Sequence, residues 1–124
     1  MKLHIDDRRT ISEIQEEFGE AFPYLKIEFF RKPHEVGEAS PMNEMIPAET
    51  TLGECRTIHT EGDLVIRKES TVQEVESGFQ EKFGISAQVF RKSGAVWLET
   101  SATDAWTLEE QSSQGEFMEK DVGE

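Results

Sequence analysis

Two stretches of this chain repeat one pattern, and together they decide the predicted fold. Residues 10–22 read TISEIQEEFGEAF, and residues 71–83 read TVQEVESGFQEKF. Both begin with Thr-x-x-Glu, the sequence of a helix capping box, and both then place apolar residues three and four positions apart. The apolar stripes are Ile11, Ile14, Phe18 and Phe22 in the first stretch, and Val72, Val75, Phe79 and Phe83 in the second. This pattern predicts two amphipathic helices with buried stripes, ended by Pro23 and Gly84.

The residues that flank the two helices repeat as well. Upstream, residues 3–5 correspond to residues 64–66 at the same offset of 61, and downstream Phe-Arg-Lys occurs at 30–32 and again at 90–92. Matching flanks favour an internal duplication. The alternative is that any two amphipathic helices followed by strands look alike.

The order of the predicted elements indicates an α+β fold. Strands are expected at 3–5, 24–31, 64–66 and 86–92, with an added strand at 95–99 after a turn at Ser93-Gly94 and a short helix near 104–111. Two β-α-β units in tandem suggest a ferredoxin-like, mainly antiparallel sheet with both helices on one face and the first and third strands paired centrally. A separate hairpin formed by residues 57–60 and 64–68 is an open variant.

Charge and turn-forming residues divide the chain into regions. Residues 33–62 hold six acids and one base, and residues 101–124 hold seven acids and one base. The first of these regions is also rich in Pro and Gly. We therefore expect a single domain over 1–111, with repeat halves at about 2–32 and 63–92, an acidic loop at 33–56 and a flexible acidic tail at 112–124.

Composition excludes several classes of function. The 124 residues include 26 acidic and 13 basic side chains, for a net charge of −13. Such a chain is not expected to bind nucleic acid or an anionic membrane surface, because both kinds of binding need clustered cations on the protein. No apolar run is long enough for a membrane span, and the start lacks the apolar stretch of a secretory signal. With Cys55 as the one cysteine, a reducing, cytoplasmic location is expected.

The reactive side chains give no strong catalytic or metal motif. Cys55 and His59 have the spacing of two ligands of one zinc ion or of a nucleophile and its base, and His34 lies 21 residues before Cys55. A zinc site needs more converging ligands, and a Cys-His pair needs a third group that orients the base. We therefore predict no catalytic residues, no metal and no cofactor.

Eight of the thirteen basic residues occur as doublets at or just past the ends of predicted strands. These doublets are Arg8-Arg9, Arg31-Lys32, Arg67-Lys68 and Arg91-Lys92. In the ferredoxin-like arrangement the first two would converge near the N-terminus of the first helix and the last two near that of the second. Two arginines beside free helix N–H groups would form an anion site. The alternative is that the doublets only balance acids at solvated rims.

Large aromatic residues suggest an interface on the sheet. If Leu25, Ile27 and Phe29 face the core, the opposite face would carry Tyr24, Phe30, Phe90 and Trp97. An open face with these side chains would be an interaction surface, and dimerisation is a common way to cover it. Alternatively, the acidic loop or the last helix covers that face.

The sequence leaves three functions open. The first is a non-enzymatic protein–protein interaction or regulatory domain that forms a homodimer and uses its sheet face and acidic segments. The second is an anion- or small-molecule-binding domain that uses the basic doublets. The third is a small enzyme built around Cys55 and His59 or around buried carboxylates.

Overall fold

A computed structural model describes residues 1–31 and 44–122 of the chain. In chain order its elements are β1 (Lys2–Ile5), α1 (Ile11–Ala21), β2 (Leu25–Phe30), α2 (Leu52–Cys55), β3 (Gly62–Val65), α3 (Val72–Phe83), β4 (Ser86–Ser93), β5 (Val96–Glu99) and α4 (Leu108–Val122). A 3₁₀ turn at Ser101–Thr103 precedes α4. The predicted α+β class is confirmed.

Both main helices begin with the predicted threonine cap, but of the two only α1 has the complete capping box, in which the Thr10 N–H also donates to the Glu13 side chain. The Glu13 N–H donates to the Thr10 hydroxyl over 3.3 Å, and the Glu74 N–H donates to the Thr71 hydroxyl over 3.1 Å. Each threonine therefore satisfies one N–H that the first helical turn would leave unpaired. At the far end of α3, Gly84 adopts a φ of 64°, a left-handed conformation that is nearly free of strain only for glycine.

The apolar stripes of α1 and α3 form one core with the strands. Seven of their eight residues are buried, and Phe22, which was predicted to be buried, is half-buried. The rings of Phe29 on β2 and Phe79 on α3 meet edge to face, with centroids 5.1 Å apart. Because these two rings belong to different halves of the chain, the core joins the two halves.

The strands form two antiparallel sheets. In the first, β1 pairs with β3, and in the second the order is β2-β4-β5. The predicted turn lies between β4 and β5, where Gly94 has a φ of 60° and the hairpin pairs Ser93 with Val96. A glycine with positive φ is what a two-residue hairpin of this kind requires.

The single ferredoxin-like sheet is not confirmed. The expected antiparallel pairing of β1 and β3 is present, but β2 and β4 pair with each other over six residues instead of flanking that central pair. Backbone pairing gives the physical reason. β1 and β3 have four residues each and pair along their whole length, while all six residues of β2 pair with β4, which the hairpin also joins to β5. The backbone groups of these strands are therefore satisfied in two separate sheets.

The two halves make equivalent hydrogen bonds beyond the repeated helices. In the first half, two backbone bonds join the start of α1 to the start of α2: Ile11 N–H to Thr50 O and Leu52 N–H to Arg9 O. In the second half, the equivalent bonds join α3 to α4: Val72 N–H to Trp106 O and Leu108 N–H to Ser70 O. The later helices, α2 and α4, both begin with Thr-Leu-x-Glu, at 51–54 and 107–110. These contacts extend the similarity of the halves past the predicted boundary at residue 92.

Parts of the predicted loop and tail have regular structure. Within the predicted loop 33–56, residues 52–55 form α2, and Ile46 and Leu52 are buried in the core. The predicted tail 112–124 is helical as far as Val122, and α4 packs against β4. Close packing explains the position of Gly115, since a Cβ there would lie 2.9 Å from the Tyr24 Cβ. Residues 32–43 lie outside the described residues.

Candidate functional site

The β5 edge of the three-stranded sheet carries exposed apolar side chains. Val96, Leu98 and Trp106 are 56%, 42% and 38% exposed, and we call these three residues the β5 patch. Leu98 lies opposite Arg91 on β4, whose guanidinium stands 5.7 Å from the centre of the Trp106 ring. The helices α3 and α4 pack against β4, one strand further into the sheet. The patch therefore combines the exposed side chains of an edge strand with a neighbouring tryptophan.

The predicted aromatic interface is arranged differently from what the sequence suggested. Phe30 and Phe90 are buried, at 1% and 4% exposure, while Tyr24 and Trp97 are half-buried. Phe30 forms an isolated β-bridge with Met45, so a residue of the predicted loop lies against this end of β2. The four residues consequently do not form one open aromatic face.

Two ammonium groups lie over the Trp97 ring. The Lys26 and Lys92 nitrogens are 5.3 Å and 5.2 Å from its centre, and Lys26 is also 5.2 Å from the centre of the Phe90 ring. Such cation–π contacts are attractive because the ring face carries negative charge. They place positive charge beside the β5 edge of a chain whose net charge is −13.

The N-termini of α1 and α3 offer few free N–H groups to an anion. In α1, the Ile11, Ser12 and Glu13 amides donate to Thr50 O, Ala48 O and the Thr10 hydroxyl. In α3, the Val72, Gln73 and Glu74 amides donate to Trp106 O, Asp104 O and the Thr71 hydroxyl in the same way. Anion binding at a helix start depends on these same groups, which here are already used by the protein.

The basic doublets of the first half bind separate partners. Arg9 forms ion pairs with Glu13 and Glu17, while Arg8 lies 3.8 Å from Asp6. The Arg31 side chain donates to Met45 O over 3.5 Å. Lys32 lies outside the described residues.

The doublets of the second half are also divided. Arg91 donates to the Gln111 side chain over 2.9 Å and Lys92 contacts Trp97, while Arg67 and Lys68 are exposed beyond β3. The contacts of the described doublets are local to each strand end, and no common anion-binding centre emerges among them.

The paired ends of β1 and β3 carry a histidine–carboxylate cluster that the sequence analysis missed. His4 lies opposite Asp63 in the register, with its Nδ1 3.0 Å from an Asp63 oxygen. Its Nε2 is 3.4 Å from Asp6 and 3.9 Å from Glu61. The ligand atoms of His4, Asp6 and Glu61 lie within 4.8 Å of one another, a spacing compatible with a cation. The pairs His4-x-Asp6 and Glu61-x-Asp63 were visible signals, but only the β1–β3 register brings them together.

The pKa of Asp6 is lowered, first because its carboxylate accepts the Arg8 N–H over 2.8 Å and also because it accepts the Arg9 N–H over 3.1 Å. These bonds stabilise the charged form of the carboxyl. The Asp6 carboxylate therefore holds the turn that connects β1 to α1.

Asp7 joins two basic side chains beside this cluster. His59 Nδ1 lies 2.9 Å from one Asp7 oxygen, and Arg56 Nε donates to the other over 2.8 Å. The His59 contact lowers the pKa of Asp7 most, and Arg56 lowers it further. The Arg56 side chain is fully buried and also donates to Thr60 O, so this group holds the segment between α2 and β3.

Cys55 and His59 do not form a nucleophile–base pair in this arrangement. The Cys55 thiol donates to Thr51 O over 3.3 Å, whereas His59 binds Asp7. Burial, with the nearby Glu54 charge, raises the pKa of the Cys55 thiol. A raised pKa disfavours the thiolate that nucleophilic or metal-binding chemistry needs. His34, the third predicted candidate ligand, lies outside the described residues.

Comparison with protein-family models, with curated proteins and with solved structures finds no match to this chain. Among the described residues, none of the helices has the length and apolar character needed to cross a membrane.

Proposed function

We propose that this protein is a non-enzymatic interaction domain that binds another polypeptide along the β5 edge. The observation that carries the proposal is the exposure of Val96 and Leu98, 56% and 42%, on a strand at the edge of its sheet. Apolar side chains on an edge strand are a recurrent docking surface for an added strand. The contacts can then come from the backbone, while Val96 and Leu98 select the partner's side chains.

The backbone of β5 has polar groups available for such pairing. Within the described residues, β5 pairs with β4 on one side, and the pairing is antiparallel. In an antiparallel ladder, alternate residues direct their N–H and C=O groups to the same neighbour. The Ser93–Val96 pair closes the hairpin, and the Thr100 N–H donates to Val89 O. The backbone N–H and C=O groups of Val96, Leu98 and Thr100 therefore point towards β4. The N–H and C=O groups of Trp97 and Glu99 consequently point outward.

The sequence of β5 lacks the usual protection of an edge. Natural edge strands are often blocked by a lysine, a proline or a bulge, which prevent another strand from pairing. β5 reads VWLE, with one charged residue at its last position. This composition favours strand addition.

The chemistry around the candidate nucleophile supports a non-enzymatic role. Cys55 has a raised pKa and its thiol is bonded to a backbone carbonyl, while His59 is held by Asp7. Neither group is poised to activate the other.

The test is quantitative affinity capture from the native host with three forms of the full chain. The wild type is compared with a Val96→Lys, Leu98→Lys double variant and with a matched Val65→Lys control, since Val65 is 49% exposed on β3. We expect the double variant to lose a protein that the wild type and the control both retain. Equal capture by all three forms would contradict a role for the β5 edge.

We also infer that the chain is an internal duplication, as the repeated sequence predicts. Positions that are equivalent in the sequence repeat lie directly opposite each other in both sheets, Leu3 with Leu64 and Glu28 with Gln88. Such pairing is what a pseudo-two-fold relation between the halves would produce. An experimental structure in which β2 pairs with a strand other than β4 would contradict this inference.

A further inference from the structure

We propose that the polypeptide bound at the β5 edge is a second copy of this chain, with the two β5 strands antiparallel about a two-fold axis. This inference rests on the proposed function and names its partner. Each copy contributes the sheet β2-β4-β5, so pairing would create one continuous sheet of six strands. An interface of this kind uses the same surface on both copies, as a two-fold dimer requires.

The outward-pointing backbone groups restrict the register. On β5, Trp97 and Glu99 direct their N–H and C=O groups away from β4. In an antiparallel pair of β5 strands, a hydrogen-bonded partner of either residue must therefore be Trp97 or Glu99 of the other copy. A two-fold axis at Trp97 places Val96 of each copy opposite Leu98 of the other. Both exposed apolar residues of β5 then gain an apolar neighbour on the same face. A register that pairs Trp97 with Glu99 would instead oppose Val96 to Thr100, which is buried.

The same register places a pair of tryptophans at the centre of the interface. Trp97 of one copy lies directly opposite Trp97 of the other, on the face that also carries Lys26 and Lys92. Aromatic residues near the middle of an interface supply much of its binding free energy. The lysines already stand over the indole rings and would remain at the rim.

Charge favours a second copy at this edge despite the net charge of −13. Two acidic proteins repel each other unless the surfaces that meet are locally balanced. Glu99 of each copy would lie diagonally beside Trp97 of the other, whose ring is contacted by the ammonium groups of Lys26 and Lys92. The contact therefore sets a carboxylate near two cations.

The β3 strand offers a contrast in charge. It also exposes an apolar residue, Val65, but carries Asp63 and follows directly after Glu61. Two copies that met along β3 would bring these acids together, and like charges placed opposite each other in a sheet are destabilising. The charge distribution thus distinguishes β5 from β3 as the strand for self-association.

Sedimentation equilibrium of the full chain over a wide concentration range tests the proposal. We expect the weight-average mass to rise from 14.1 kDa towards twice that value for the wild type and for the Val65→Lys control. The Val96→Lys, Leu98→Lys double variant should stay at the monomer mass while its circular dichroism matches the wild type. A wild type that is monomeric throughout would overturn the second-copy proposal, while β5-dependent capture of a different protein would leave the proposed function standing. A double variant that still dimerises would overturn the β5 interface.

Disulfide trapping tests the register directly, because a covalent bond accumulates even from a dimer that loss of the Trp97 ring has weakened. In a Cys55→Ser background, Trp97→Cys should form an intermolecular disulfide under mild oxidation, because hydrogen-bonded antiparallel partners have Cα atoms about 5.5 Å apart. Glu99→Cys is the matched control, since the two copies of residue 99 would lie four positions out of register. Trapping through Glu99→Cys and not Trp97→Cys would overturn the proposed register.

Discussion

Replacing Phe79 with alanine should destabilise the whole domain, because this ring joins the two halves of the chain. Phe79 is fully buried on α3, and its ring contacts Phe29 of β2 edge to face at 5.1 Å. Truncating a buried phenylalanine costs about 3–5 kcal/mol of unfolding free energy, and loss of the aromatic pair lies within that effect. A loss of this size is a large fraction of the about 5–15 kcal/mol by which a typical domain is stable.

Urea unfolding followed by circular dichroism measures this loss. Phe117→Ala is the matched control, since it removes the same atoms from a side chain that is 62% exposed on α4. The control should change the unfolding free energy by no more than about 0.5 kcal/mol. Equal shifts of the midpoint for Phe79→Ala and Phe117→Ala would refute the reasoning, because Phe79 could not then lie in a shared core.

Three further predictions concern the backbone, acid stability and helix capping. Gly84→Ala should lower the thermal midpoint of unfolding, because φ is 64° and the new Cβ would lie 2.5 Å from a backbone nitrogen in the segment before β3. Gly19→Ala is the control: it lies in an open position on α1 and should raise the midpoint. The His59 contact lowers the pKa of Asp7 in the folded protein. The charged carboxylate therefore stabilises the fold fully above the ordinary pKa of an aspartate, about 4, and this stabilisation is lost as the pH falls through the lowered pKa. In Asp7→Asn, the unfolding free energy should therefore fall less steeply between about pH 4 and lower pH than in the wild type. The same fall in both proteins would argue against the contact. Thr71→Ala should cost about 1 kcal/mol in urea unfolding, with recovery by Thr71→Ser, because only the hydroxyl caps α3.

Local patterns in the sequence predict α1, α3 and most of the strands, whereas α2 lies in the predicted loop 33–56 and α4 extends into the predicted tail 112–124. Thr10 forms the complete predicted capping box and Thr71 its threonine half, and the turn beside Gly94 lies where the sequence places it. These features depend on residues a few positions apart. The partnership of β2 with β4 depends on which distant strands compete for each other, and local periodicity does not encode that choice.

The candidate site was only partly accessible to sequence reasoning. The alternation along β5 separates Trp97 from Val96 and Leu98, but it does not say which face is covered. Val96 and Leu98 share the face of Arg91, yet they stay exposed because α3 and α4 pack against β4. The cluster of His4, Asp6, Glu61 and Asp63 could not be predicted for a similar reason, since its members meet only through the register of β1 and β3.

Amide hydrogen exchange at Trp97, measured by nuclear magnetic resonance at rising protein concentration, tests the central claim most directly. Because the Trp97 N–H points away from β4, no strand of the described residues accepts it within one copy, whereas the β5–β5 pair would bond it. We predict that its exchange slows as concentration rises, while the Leu98 N–H, which faces β4, serves as the internal reference. A Trp97 amide that exchanges at the same fast rate at every concentration would contradict pairing of a second copy along this edge.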